Sequence, residues 1–316
     1  MSKTGQTLRP VIVIAGPTAS GKSAIAMLLS RQLEIEIVCA DARTIYRGLD
    51  IGTAKPSKQD QQAVRHHCID IIEPADAFSA RDFATAARRA VDSIPQQCVP
   101  VIVGGSGFYI QAMIDGLSSE GADIDQHVRD LIQQEFDTLG RDAMYERLVV
   151  VDPPAARLYA DRNPRRIQRA LEFHRATGGR LSDTWSAPRD QASYDAIYFA
   201  RELDNVTLRQ RIEDRCHAMW NMGLLHETQT LLECGLEETS QSMQTVGYKQ
   251  ALDVLAGRMS VEAAQQDMVH ATWQYAKRQR TWLRKDQRYR WVSGTDHECA
   301  LDILQQHQIR MSADGI

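Results

Sequence analysis

The sequence predicts an α/β protein with a parallel β-sheet flanked by helices and interrupted by an all-helical insertion. Residues 11–16 (VIVIAG) and 99–105 (VPVIVGG) are short apolar runs that end in glycine, as expected of strands buried on both faces. Amphipathic helical patterns alternate with such runs over the first part of the chain, which favours parallel strand pairing. Residues 118–190 are instead helical in pattern and rich in arginine, without a convincing buried strand.

The other elements near the N-terminus are predicted in chain order from the same patterns. Residues 22–33 have helical spacing, and residues 36–41 (EIVCAD) indicate a second strand that stops on a carboxylate. A short third strand is predicted at 69–72, followed by a helix over 79–94 with Ser79 as its N-cap.

The second half of the chain is predicted to complete this core. Strand character resumes at 196–203 (AIYFAREL), helical patterns follow and include a basic helix at 270–286, and a last strand is predicted at 289–292. We therefore expect three segments, namely the first part of a catalytic core at 1–117, a helical insertion at 118–190, and core completion with basic C-terminal helices at 191–316.

Composition excludes several classes of protein. With 43% hydrophobic and 25% charged residues among 316, the chain can bury a core, which argues against wholesale disorder. It has no uninterrupted apolar stretch of the roughly 18 to 20 residues that a membrane span requires. Its six cysteines are scattered without C-x-x-C spacing. We expect a cytoplasmic protein with reduced thiols and no membrane partner.

A phosphate-binding loop is predicted at residues 16–23 (GPTASGKS), which fit G-x-x-x-x-G-K-[ST] between a predicted strand and a predicted helix. The N–H groups of such a loop converge on one anion, and the helix N-terminus adds its positive end. The fold is therefore expected to be P-loop NTPase-like. Lys22 would bridge phosphates, and the Ser23 hydroxyl would complete a Mg²⁺ shell. Pyrophosphate binding is predicted for Gly16, Pro17, Thr18, Ala19, Ser20, Gly21, Lys22 and Ser23, whatever group the phosphates carry.

Asp41 ends the second predicted strand, where open parallel sheets collect their catalytic groups. A carboxylate there can serve as a general base or a magnesium ligand. It can equally be the cap of a helix or turn. The residues alone leave these interpretations open.

Six ordered motifs lie along nearly the whole chain. They are GPTASGKS at 16–23, Asp41 with IYRGLDIGTAKP at 45–56, VGGSGFY at 103–109, NPRRIQRALE at 163–172, VGYKQ at 246–250 and YAKRQRTWLRK at 275–285. Together they resemble the tRNA dimethylallyltransferase family. The resemblance implies a Mg²⁺-dependent, monomeric enzyme that transfers the dimethylallyl group of dimethylallyl diphosphate to N6 of adenine 37 of tRNA. The implied partner is the anticodon stem-loop with A36-A37.

The resemblance also implies roles for individual residues. The P-loop with Mg²⁺ would hold the diphosphate leaving group, Asp41 would accept a proton from N6, and Ser106 would contact the adenosine or the diphosphate. Contacts to tRNA are implied for Asp41, Ala42, Arg43, Thr44, Ser106, Arg129, Arg165, Arg166, Ile167, Gln168, Arg169, Lys277, Arg278 and Arg280. The sequence departs from the usual family pattern at Ala42, Thr44, Ser106 and Trp273.

The chemistry of the implied reaction requires this kind of site. An exocyclic amine on adenine is a poor nucleophile because its lone pair is delocalised into the ring. Catalysis must therefore orient N6 beside a hydrogen-bond acceptor and stabilise the departing diphosphate with cations such as Lys22. A base in an anticodon loop must also be extruded to reach the site.

Two basic stretches have two interpretations. Residues 277–290 hold seven cations and one acid, and residues 157–180 add seven arginines. Both fit a nucleic-acid footprint or, alternatively, a solvated helix face. Lys277, Arg280 and Arg284 share one helix face, and we expect one or two of them to reach the diphosphate. The aromatic residues of this helix are expected to be mostly core, and the pair at 66–67 (HH) to be packed or capping histidines.

Three other functions remain open alternatives. The first is a prenyltransferase that uses a free adenine nucleotide as acceptor, which would have no need of an insertion that grips an anticodon loop. The second is a P-loop kinase of a small metabolite, in which IYRGLDIGTAKP at 45–56 has no evident role. The third is an RNA-binding P-loop protein without catalysis.

Overall fold

The chain forms two compact units in the computed structural model, which describes residues 8–117, 124–186 and 194–313. The first unit combines Met1–Ile114 with Ala192–Ile316, and the second is Asp115–Gln191. None of the helices in the described residues is long and apolar enough to cross a membrane.

A six-stranded parallel sheet forms the centre of the first unit, with the strand order β3-β2-β4-β1-β5-β6. The strands are β1 (Arg9–Ala15), β2 (Ile35–Cys39), β3 (His66–His67), β4 (Val99–Gly104), β5 (Tyr194–Arg201) and β6 (Arg290–Val292). The predicted parallel sheet is thus confirmed. The order reverses at β1, so the carboxyl ends of β1, β2 and β4 border a common crevice.

One set of helices flanks the sheet within the first unit, and another set forms the second unit. Those of the first unit are α1 (Lys22–Leu29), α2 (Lys58–Ala63), α3 (Ala80–Ser93), α4 (Gly107–Ile114), α8 (Asn205–Asn221), α9 (Leu224–Glu233), α10 (Tyr248–Leu255), α11 (Val261–Leu283) and α12 (Asp296–Ala313). The second unit contains α5 (Gln126–Val151), α6 (Pro153–Leu158), α7 (Pro164–Thr177) and a 3₁₀ helix at Leu181–Ser186. Every regular element described between 124 and 186 is helical, which confirms an all-helical insertion.

The alternating side chains of β1 explain its continuous apolar sequence. Val11 and Val13 pack in a cluster with α3 and α4, whereas Ile12 and Ile14 pack in a cluster with α1 and α12. Both faces of the sheet are therefore covered, as in other parallel sheets. A third cluster joins α8, α10 and α11 to residues 45–49.

The third strand lies earlier than predicted. It is formed by His66–His67, and the predicted stretch 69–72 contributes one isolated bridge, from Ile72 to Tyr46. Cys68 and Asp70 both have positive φ angles, of 60° and 54°, which interrupt the extended backbone. Both histidines make contacts within the fold, as predicted for a packed pair, because His67 Nε2 lies 2.6 Å from a Glu36 carboxylate oxygen and His66 Nδ1 lies 2.7 Å from the Val64 carbonyl oxygen.

The start of α3 agrees with the prediction and the end of α1 differs from it. Ser79 caps α3 as predicted, since its hydroxyl accepts from the N–H of Asp82 at 3.2 Å while the Asp82 carboxylate accepts from the N–H of Ser79. Helix α1 ends at Leu29 rather than at residue 33, because the chain turns at Ser30.

Candidate active site at the carboxyl edge of the sheet

One cavity of about 420 Å³ lies where β1, β2 and β4 end and is closed by α8 and α11. Its lining brings together half of the first-unit residues that the sequence predicted as site residues. These are Thr18, Lys22, Ser23, Asp41, Ala42, Arg43, Thr44 and Arg278. Arg215, Thr272, Tyr275 and Gln279 also line it and were not predicted as site residues.

The phosphate-binding loop is shaped by two residues with positive φ. Ala19 has a φ of 62° and Gly21 a φ of 91°, which turn the backbone between β1 and the first residue of α1. The Ser20 N–H donates to the Pro17 carbonyl at 3.2 Å, closing the turn. Lys22 begins α1, so its side chain lies at the positive end of the helix.

The charges that line the cavity are unbalanced. Four cations, Lys22, Arg43, Arg215 and Arg278, line it together with one carboxylate, Asp41, among the described residues. Burial and the neighbouring Arg215 lower the pKa of Lys22 to about 8, although Asp41 acts in the opposite direction. Burial likewise lowers the pKa of the Arg215 guanidinium. Cations that are destabilised in the free protein favour a ligand with several negative charges.

Gln279 connects the phosphate-binding loop to the loop after β4. Its Oε1 accepts from the Thr18 N–H at 2.8 Å and its Nε2 donates to the Gly105 carbonyl at 3.0 Å. The side chain is only 6% exposed, so both bonds are shielded from water. A Cβ at position 105 would lie 2.1 Å from Gln279 Nε2, and this close approach requires the second glycine of VGGSGFY.

Asp41 has the turn-capping role, one of those that the sequence left open, and keeps one carboxylate oxygen free of it. Its Oδ1 accepts from the Arg43 N–H at 2.9 Å, which is a turn-capping contact. Its Oδ2 has no hydrogen-bond donor among the described residues. Because Asp41 also lines the cavity, a free carboxylate oxygen remains available to a ligand.

Ser106 lies behind the cavity wall and contacts two residues that form it. Its Oγ accepts from the Ala42 N–H at 3.3 Å, and its side chain is hydrogen-bonded to Tyr275. The contact to Ala42 depends on the close approach of β2 and β4, since a Cβ on Gly104 would lie 2.0 Å from the Ala40 carbonyl oxygen. The Ser106 hydroxyl therefore supports the segment that follows Asp41.

The motif at 45–56 is a loop held from behind by Glu227 of α9. The Glu227 carboxylate accepts from the N–H groups of Ile51 and Gly52, at 2.9 and 3.3 Å, and from the Tyr248 hydroxyl at 2.6 Å. Lys55, whose side chain is 4% exposed, donates to the Tyr46 carbonyl at 2.9 Å. These contacts fix the part of the loop that lines the cavity, at residues 52–54.

The cations of α11 differ from the prediction. Lys277 lies over the ring of Trp273, Arg280 donates to Asn205 Oδ1 at 2.6 Å, and Arg284 donates to Glu202 at 3.2 Å. None of the three is among the residues that line the cavity, and the expectation that one or two of them reach a diphosphate stays a prediction that the cavity lining does not support. The face of α11 turned to the cavity carries Met268, Thr272, Tyr275 and Gln279, at helical spacing, with Arg278 beside it.

Arg215 is the cation that sequence reasoning missed. It lies among Leu208, Ile212, Cys216 and Met219, the buried face of α8. An arginine on an otherwise apolar helix face is the signal that identifies such a residue from sequence, because a buried cation needs a partner.

The predicted tRNA-binding residues of the second unit have varied environments. Ile167 is fully buried in the core of that unit, so the predicted tRNA contact does not extend to its side chain. Arg166 lies over the Tyr159 ring, Gln168 donates to Gln133, and Arg169 lies 3.9 Å from Glu172. The exposed Arg165 forms no ion pair or hydrogen bond within the described residues. Arg129, also exposed, acts electrostatically on Glu172.

A phosphate-binding loop facing a carboxylate at the switch point of a parallel sheet defines an α/β enzyme of the P-loop class. Its excess of cations indicates a substrate with a di- or polyphosphate group. The sequence profile of the IPP transferase family matches residues 44–286, and the chain belongs to this family.

Curated relatives and solved structures agree with this membership. The chain is 38% identical over 294 residues to tRNA dimethylallyltransferase 1 of Trichlorobacter lovleyi, covering 92% of this chain and 96% of the relative. It is 40% identical to tRNA dimethylallyltransferase 1 of Pelobacter propionicus over 297 residues, or 92% and 94% of the two chains.

Among solved structures, the tRNA isopentenylpyrophosphate transferase of Bacillus halodurans superposes with a TM-score of 0.69 at 31% identity, covering 96% of each chain. A eukaryotic dimethylallyltransferase acting on tRNA gives a TM-score of 0.76 at 26% identity, over 97% of this chain and 79% of the other.

Proposed function

We propose that this protein is a tRNA dimethylallyltransferase that transfers the dimethylallyl group of dimethylallyl diphosphate to N6 of adenine 37 of tRNA. The observation that carries the proposal is the arrangement of the cavity, where Asp41 lines the same space as Lys22 and Arg215. A proton acceptor and a set of phosphate-binding cations are the two groups that this transfer needs.

Asp41 is the proposed general base. Its Oδ1 is fixed by the Arg43 N–H, which leaves Oδ2 to accept a proton from the exocyclic amine. As that proton leaves, N6 forms a bond to the allylic C1 of the donor, and the bond from C1 to the diphosphate oxygen breaks. The electron pair of the broken bond stays on the diphosphate.

Lys22, Arg215 and the N–H groups of the phosphate-binding loop are proposed to stabilise the leaving diphosphate. The loop holds a free hydroxyl for Mg²⁺, because Ser23 is exposed at the first turn of α1 and lines the cavity. An oxygen ligand beside a phosphate site suits this hard cation. When bound, Mg²⁺ supplies further positive charge to the phosphate oxygens.

The tRNA is proposed to approach Asp41 with its anticodon loop, presenting A36-A37. Arg43 and Arg278 line the cavity as cations available to the RNA backbone, and the second unit adds the exposed Arg129 and Arg165. We further propose a cytoplasmic enzyme that acts as a monomer. All six cysteines are free thiols, which supports a reducing compartment.

A competition assay tests the proposal. The protein is incubated with Mg²⁺, dimethylallyl diphosphate, unmodified tRNA bearing A36-A37 and excess AMP, and the products are digested and analysed by mass spectrometry. We expect N6-(dimethylallyl)adenosine from the tRNA alone. Product in AMP would identify an adenine-nucleotide prenyltransferase instead. Consumption of ATP without prenylation of either acceptor would identify a P-loop kinase.

A further inference from the structure

Tyr275 is the one tyrosine in the described lining of the cavity, on the face of α11 turned toward Asp41. Its hydroxyl is hydrogen-bonded to the side chain of Ser106, and the Ser106 Oγ in turn accepts from the Ala42 N–H at 3.3 Å. These three groups form a chain that begins at the backbone next to Asp41 and ends at a cavity wall.

The donor and acceptor in each hydrogen bond of this chain follow from which groups carry a proton. The Ala42 N–H can only donate, so the Ser106 oxygen is an acceptor there. Ser106 does not line the cavity, and among the described residues Tyr275 is the partner left for its proton. Ser106 therefore donates to the Tyr275 oxygen. The Tyr275 proton then has no acceptor within the described protein and is available to a ligand, in a chain whose bonds strengthen one another.

The Asp41 charge acts on both Tyr275 and Lys22. Burial and then the Asp41 charge raise the pKa of Tyr275 to about 12, while Arg43 and Arg278 oppose the shift. The charges that act on Lys22 are instead those of Arg215, Asp41 and Cys39. Asp41 and Tyr275 line the same cavity within electrostatic reach of each other, so a base whose N6 meets Asp41 has its neighbouring ring edge in the space that the tyrosine lines.

We propose that Tyr275 is a base-recognition residue whose hydroxyl donates a hydrogen bond to a ring nitrogen flanking the amine of the acceptor adenine, either N1 or N7. The proposal rests on the proposed function, because it needs adenine as the acceptor. The hydroxyl proton stays on Tyr275, since the raised pKa keeps the phenol neutral at physiological pH. Its effect is to orient the amine toward Asp41.

Atomic substitution in the RNA tests this contact. Anticodon stem-loops carrying adenosine, 1-deazaadenosine or 7-deazaadenosine at position 37 are prenylated by the full-length wild-type protein and by Tyr275→Phe under single-turnover conditions. We expect Tyr275→Phe to prenylate the adenosine stem-loop about three- to tenfold more slowly than wild type, the usual effect of one hydrogen bond. One deaza analogue should lower the wild-type rate by a similar factor and have no further effect on Tyr275→Phe.

Two variants separate this contact from a structural effect. Tyr194→Phe removes the hydroxyl of another half-buried tyrosine outside the cavity lining and should retain the wild-type rate and the wild-type response to both analogues. Ser106→Ala removes the bond behind Tyr275 but leaves its proton, so discrimination between adenosine and the sensitive analogue should persist.

The outcomes distinguish this inference from the proposed function. If wild type does not prenylate the adenosine stem-loop, the proposed function fails and the Tyr275 contact with it. If wild type is active but each analogue lowers the prenylation rate of Tyr275→Phe by the same factor as that of wild type, the Tyr275 contact alone is overturned. Loss of discrimination in Ser106→Ala but not in Tyr275→Phe would assign the donor to serine instead.

Discussion

The cavity of the first unit and the arginine-rich helices of the second unit use positive charge in different ways. In the cavity, Lys22 and Arg215 are partly buried and share a single carboxylate. In the second unit, Arg147 and Arg175 both pair with Glu135, the latter at 2.7 Å. Buried cations without enough counter-charge favour an anionic ligand, whereas exposed ion pairs contribute little and are already neutralised.

This difference means that the density of arginine is a poor guide to binding. Arg162 donates to Asp142 at 2.9 Å and holds the pKa of that carboxyl below its ordinary value. Such an arginine has to give up a partner before it can bind phosphate. An exposed arginine without a partner among the described residues, such as Arg165, can bind phosphate without first losing an ion pair.

The sharpest test of the cavity is the substitution Asp41→Asn. Asparagine keeps an oxygen for the Arg43 N–H but cannot take a proton, so we expect turnover to fall about 10²- to 10⁴-fold. The affinity for tRNA, measured by filter binding, should remain nearly unchanged. Asp76→Asn, which alters an exposed aspartate outside the cavity lining, is the matched control. Wild-type turnover in Asp41→Asn would refute the assignment of the base.

A second test uses the pH dependence of Lys22. A pKa lowered to about 8 means that the free enzyme loses this cation as pH rises through 8, well below the titration of an exposed lysine. We expect kcat/KM for dimethylallyl diphosphate, which reports the free enzyme, to fall about tenfold per pH unit above that value.

The matched variant for this pH profile is Lys22→Arg. Arginine stays protonated throughout the range, so its profile should remain flat between pH 8 and 10. A decline of equal steepness in both proteins would show that another group causes it.

A third test removes the connection between the two loops at the cavity. Gln279→Leu leaves the Thr18 N–H without a partner and leaves the Gly105 carbonyl with the Gly107 N–H as its donor among the described residues, which should cost about 1 to 3 kcal/mol of unfolding free energy. We also expect KM for dimethylallyl diphosphate to rise about tenfold, since the phosphate-binding loop loses its support. Gln274→Leu on the same helix lies outside the cavity lining and should change neither quantity. Equal KM values for the two variants would contradict the supporting role.

The smallest expected effect is on tRNA binding, in variants of two arginines of the second unit. Arg165→Ala should raise KM for tRNA about threefold and reduce the salt dependence of binding by roughly one counterion. Arg175→Ala removes an arginine bonded to Glu135 and should change tRNA binding less. If the two variants weaken binding equally, existing ion pairs do not limit the participation of these arginines.

The sequence by itself determined the features that depend on neighbouring residues. Residues 16–23 specify a phosphate-binding turn because glycines at fixed spacing permit it, and β1 reads as a buried strand because both of its faces are apolar. The capping box of α3 is likewise contained within Ser79 to Asp82. The resemblance of whole motifs then identified the family and Asp41, without showing what most motif residues contact.

Only the tertiary structure decided which distant residues complete the site. The Thr18 N–H donates to a side chain 261 residues away in sequence. The N–H groups of Asp50 and Gly52 donate to the Glu227 carboxylate, which is 177 and 175 residues away. The helix α11 was predicted, but the face it turns to the cavity was not, so Tyr275 and Gln279 were overlooked while Lys277, Arg280 and Arg284 were expected there. The physical reason is that a helical pattern fixes which residues share a face, whereas packing against the sheet decides where that face points.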